Sequence, residues 1–60
     1  MNQYSLAAPF YRSARLHFSF ARLFQRTGDT TYSALSTQWG NEDRRKAQQV
    51  LREERLIHAQ

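Results

Sequence analysis

Arg12, Arg15, Arg22 and Arg26 recur at steps that keep them on one side of an α-helix, with Ser19 in the gap between them. Wound at ~100° per residue, these five side chains fall in a stripe ~80° wide. No acidic residue lies in that stripe or anywhere between Phe10 and Thr27. A guanidinium is a planar fork of donors and is weakly hydrated, which suits it to phosphate, carboxylate and aromatic partners. Like charges with no carboxylate between them repel one another, and a polyanion relieves that repulsion. The chemistry on offer is phosphate contact, with Ser19 as a hydrogen-bond donor among the arginines. The plainer alternative is a solvated face whose arginines pair with Asp29, Glu42, Asp43, Glu53 or Glu54 from elsewhere in the chain.

Other chemistry is thinly represented. His17 is embedded in an apolar helix face and His58 lies at the chain's end, with no ligand cluster spaced around either. That pattern predicts no metal site, and the absence of cysteine removes thiolate zinc and disulfide staples. The serines have no nucleophile-elbow context, and two glycines are too few for a phosphate-binding loop. Glu53 and Glu54 are helix neighbours that diverge, so they make no acid/base pair. A non-enzymatic protein without cofactor is the expectation.

Size and charge narrow the class further. The chain has 60 residues and a net charge of +4, and eight of its nine basic residues are arginine. Its pI is near 10.4, as in proteins that bind polyanions. No apolar run of ~20 residues offers a membrane span. No cationic start with an apolar run and small-residue cleavage site is present, so a cytoplasmic protein is expected. A domain this small buries only about 60% of its unfolded-chain surface, so a monomer is marginal and association is the usual remedy.

The elements that must position the arginines follow from punctuation. Residues 1–8 read as a frayed arm. Pro9 suits a first helical turn and Gly28 a C-terminal stop, so a first helix is predicted over about residues 9–27. Asp29 and Thr30 offer caps for a short second helix over 30–39, on which Tyr32, Leu35 and Trp39 share a face. Gly40 reads as its end. Asn41 then caps a third helix over 42–58, with Glu42 and Asp43 in the first turn. The reading is an all-α, single-domain, three-helix protein built on a long basic amphipathic first helix.

That first helix is apolar over ~240° of its circumference, well beyond the ~100° an ordinary surface helix needs. Phe10, Tyr11, Ala14, Leu16, Phe18, Phe20, Ala21, Leu23 and Phe24 fill the arc. Two short neighbours cover it poorly, which predicts a helix-mediated homodimer or an obligate partner. Phe18, Phe20, Leu23, Phe24 and Trp39 are the predicted partner interface. On the third helix Ala47, Val50, Leu51, Ile57 and His58 share one face, with Glu54 in its middle. A carboxylate there must lie at a fraying end or pair with an arginine. Arg44, Arg45, Gln48, Arg52 and Arg55 form a modest basic ridge opposite, and Glu42–Lys46 is a favourable i, i+4 pair.

The reading that follows is a small regulatory protein that binds nucleic acid through Arg12, Arg15, Ser19, Arg22 and Arg26. The alternative is an inhibitor or adaptor, of the regulatory or host-takeover type, docking on a larger acidic protein through the aromatic face and Trp39. Membrane-surface association is the third and weakest, because folding consumes the apolar face that it requires.

Overall fold

A computed structural model describes residues 5–59, of which 89% are helical. Helix α1 spans Ala8–Arg26 and helix α2 spans Thr30–Ala59. They pack antiparallel as an αα-hairpin, and no strand occurs among the described residues. The first helix stands within a residue of its expected bounds. The first half of the predicted arm, residues 1–4, lies outside the described residues. Ser5, Leu6 and Ala7 form the turn that leads into α1.

The three-helix expectation is overturned at Gly40. The predicted second and third helices are one continuous 30-residue helix. A glycine that ends a helix usually adopts a left-handed conformation. Among the described residues only Gly28 has positive φ, at 85°. Gly40 is instead buried in the helix interior. A Cβ there would stand 2.7 Å from Cε1 of the Phe18 ring. The missing side chain is the space that Phe18 fills.

The seam follows the same logic along its length. On α1 and the turn before it, Ala7, Phe10, Ala14, His17, Ala21 and Phe24 repeat in steps of three and four. On α2 the same steps run through Ser33, Ser36, Gly40, Asp43, Ala47, Val50 and Glu54. Every one of these residues is buried or half-buried. This is a heptad seam, with alanine recurring every seventh residue on one arm of the hairpin. The fully enclosed positions are all small: Ala7, Ala14, Ala21, Ser36, Gly40 and Ala47. Small side chains let the two backbones approach closely, since interhelical distance is set by the residues at the contact.

The turn and the open end are held by specific hydrogen bonds. Asp29 N–H donates to the Phe24 carbonyl at 2.8 Å and Gly28 N–H to the Gln25 carbonyl at 3.3 Å. These two bonds are a Schellman motif, which Gly28 makes possible. The Asp29 carboxylate then accepts from the Tyr32 backbone N–H at 3.2 Å and caps α2, as expected. Ser33 Oγ donates across the seam to the Ala21 carbonyl at 2.9 Å.

At the far end Glu54 answers the question its position raised. Its partner is not an arginine. Ser5 Oγ donates to Glu54 Oε1 at 2.6 Å, and Leu6 N–H approaches Oε2 at 3.4 Å. Ala7 N–H donates to Ser5 Oγ at 3.1 Å. The carboxylate lies near the positive end of the α1 dipole and ties the end of α2 to the turn that precedes α1.

The hairpin is long and thin. Its Cα atoms span 50 × 17 × 9 Å with a radius of gyration of 14.2 Å. A compact domain of this length has a radius of about 10 Å.

Gly40→Ala tests the seam. Alanine favours a helix interior by about 1 kcal/mol, but overpacking costs about 1–3 kcal/mol. The variant is expected to melt at or below the parent's temperature. Introduced into a Phe18→Ala background, the same substitution is expected to stabilise by about 1 kcal/mol, because only helix propensity then remains. Thermal melts followed by helical circular dichroism measure both.

Candidate functional site

The arginine stripe occupies the outer face of α1. Ala7, Ala14 and Ala21 face α2, which places Arg12, Arg15, Ser19, Arg22 and Arg26 on the opposite side of the helix. All five are exposed. Ser19 Oγ donates to the Arg15 carbonyl at 2.9 Å, so its hydroxyl is tied to the helix backbone in this conformation. Arg22, Gln25 and Arg26 line a shallow depression at the loop end of the stripe.

The carboxylates expected to neutralise the stripe are used elsewhere. Asp29 caps α2 and Glu54 holds the turn that leads into α1. Glu42 and Glu53 lie beside glutamines on their own helix, Gln38 and Gln49, each at 3.4 Å. Asp43 is in the seam. Among the described residues the single ion pair is His17–Asp43, so no arginine of the stripe is ion-paired with any of them. Arg44, Arg45, Arg52 and Arg55 are exposed on α2. Lys46 does not pair with Glu42 as expected. Its ammonium lies 6.0 Å from the centroid of the Phe10 ring, a cation–π distance.

His17 and Asp43 form the polar centre of the seam. His17 Nδ1 lies 2.8 Å from Asp43 Oδ2. Hydrogen bonding from the Ser13 hydroxyl holds the Asp43 carboxyl below its ordinary value of 3.8. Partial burial opposes this, and His17 and Lys46 reinforce it. Among the described residues the imidazole of His17 is hydrogen-bonded to Asp43 and to no serine hydroxyl, whereas a nucleophilic relay requires a serine hydroxyl on the imidazole. Asp43 here closes the seam. Among the described residues no three of His, Cys, Asp and Glu gather as a metal site. Among the described residues no helix is long and apolar enough to cross a membrane.

The predicted partner residues divide in two. Phe18 is half-buried over Gly40, and Phe24 is half-buried against Tyr32 with centroids 5.6 Å apart. They hold the hairpin together. Phe20, Leu23 and Trp39 keep 41%, 50% and 42% of their surface. Trp39 packs on the His17 ring at 5.8 Å and Phe20 on Phe24 at 6.3 Å. These ring contacts put one edge of α1 beside one edge of α2 and create a shared aromatic edge near the loop. The residues that sequence reasoning missed are Ser13, Asp43 and Gly40. The signal for them was the seven-residue spacing of Ala7, Ala14 and Ala21, which points to a partner surface with a matching heptad.

The Asp43 pairing predicts an acid limb of stability. A carboxyl with a lowered folded-state value stabilises the fold above its unfolded value and loses that contribution as pH falls through the folded one. Parent stability is therefore expected to drop below about pH 3.8. Asp43→Asn should be less stable than the parent at neutral pH, with the gap narrowing in acid. Melting temperatures across that range read the difference.

Compared with protein-family models, curated proteins and solved structures, the chain matches none, and its functional reading rests on these surfaces.

Proposed function

We propose that this chain is a small, non-enzymatic, cytoplasmic regulatory protein that binds nucleic acid through the outer face of α1. The observation that carries this reading is the stripe of Arg12, Arg15, Arg22 and Arg26, exposed opposite the seam and unpaired among the described residues. The stripe spans about four turns of a straight helix, which lets successive guanidiniums reach successive phosphates. Contact is to the backbone and carries little sequence preference. A homodimer belongs to this reading, since two copies set two basic ridges on one particle.

A second reading has its own support in the exposure of Phe20, Leu23 and Trp39. There the aromatic edge docks on a larger acidic protein and the arginines meet its carboxylates. A stoichiometric complex with one protein, insensitive to nuclease, would favour it.

Salt distinguishes them. Affinity for a labelled DNA duplex or RNA hairpin should fall linearly on a log–log plot as salt rises. Arg15→Gln and Arg22→Gln should each weaken binding across all sequences and reduce the slope by about one. Binding that ignores both salt and these variants overturns the proposal.

A further inference from the structure

The aromatic edge carries an inference about its occupant. It lies where α1 and α2 run side by side near the loop, with Leu16, Phe20 and Leu23 from α1 and Tyr32, Leu35 and Trp39 from α2. Leu35 is half-buried, and the other five keep between 41% and 56% of their surface. Isolated exposed apolar residues are ordinary, but a contiguous row of this size marks an interaction site.

Three observations name what covers it. The first is area. The chain exposes 5105 Å², whereas a compact monomer of its 7.1 kDa mass exposes about 4,100 Å². The excess of about 1,000 Å² belongs to the elongated shape of the whole chain, and it leaves surface enough for the ~800 Å² that each partner loses in a stable interface. The second is charge. By the same heptad positions, every arginine falls off this edge, on the outer faces or the opposite edge. The charges along it are Glu42, Lys46 and Glu53, of both signs. Two chains of +4 can therefore meet here without opposing their arginines.

The third is register. The contacts Phe24–Tyr32 and His17–Trp39 place the α1 residues of the edge at the same heights as its α2 residues. A two-fold axis along the hairpin lays the Leu16, Phe20 and Leu23 ridge of one copy on the Tyr32, Leu35 and Trp39 ridge of the other. The patch is self-complementary, as a two-fold interface requires. All neighbouring helices are then antiparallel, as in an up-and-down four-helix bundle.

We infer that this composite edge is the seam of a homodimer, with a second copy of the chain as its occupant. The inference rests on the homodimer in the proposed function and moves its seam from α1 alone to an edge shared by both helices. The arginine stripes of both copies stay outside the bundle.

The test is molar mass by light scattering over about a 100-fold range of concentration. The parent is expected at twice 7.1 kDa. Leu23→Glu should weaken association at least ~100-fold, while Leu56→Glu, at the far end of the hairpin, should leave the dimer intact. The chain has no cysteine, so Leu23→Cys and Arg22→Cys can each be treated with a short bis-maleimide. Cross-linked dimer from Leu23→Cys in excess over Arg22→Cys supports the seam even where Leu23→Glu loses its helicity. A parent of single-chain mass throughout overturns both dimer and seam, and leaves the edge to a different protein. A dimer unaffected by Leu23→Glu, with no excess cross-linking at Leu23→Cys, overturns the seam while the homodimer stands.

Discussion

Close approach of two backbones is the constraint on which this structure depends. Ala7, Ala14 and Ala21 meet Ser36, Gly40 and Ala47, and no bulky side chain is fully enclosed between them. A seam of small residues buries little apolar area per residue, so most of the hydrophobic payload must go elsewhere. The aromatic side chains lie along its margins. Phe18 closes over Gly40, Phe10 lies under Lys46, and Phe24, Tyr32, His17 and Trp39 line one edge. The exposed edge is thus a consequence of the tight seam, since rings displaced from between the helices must emerge beside them.

The seam also distributes charge. Each carboxylate does local structural work or lies beside a side-chain amide. Asp29 caps α2, Glu54 holds the turn before α1, and Asp43 pairs with His17 across the centre. Acidic groups spent on helix ends cannot neutralise arginines on the outer faces. The basic exterior therefore follows from how the hairpin satisfies its termini as much as from the net charge.

These two consequences divide the surface by chemistry. The outer face of α1 presents guanidiniums, and the loop-proximal edge presents leucine and aromatic rings. In the proposed dimer the edge is consumed and the basic faces remain, so folding, the proposed assembly and the proposed anion binding would use different sides of the same helix. His17 was legible as a histidine on an apolar face, and its partner is a carboxylate on the other helix.

Local sequence determined the helical class, the first helix, the turn at Gly28, the cap at Asp29 and the sidedness of the arginine stripe. Each depends on residues within a few positions of one another, through periodicity, capping and backbone conformation. Gly40 is where local reading and tertiary structure diverge. As punctuation, Gly40–Asn41 is a stop and a cap; in the hairpin, Gly40 is a socket for Phe18, 22 residues away in sequence. Long separation in sequence marks the other unforeseen features as well. Glu54 meets Ser5 49 positions away, and His17 meets Asp43 across 26. What only the tertiary structure decided was which side of each helix lies inward, and hence which aromatics are seam and which are surface. That choice depends on two helices fitting each other, and no window of a single helix contains it.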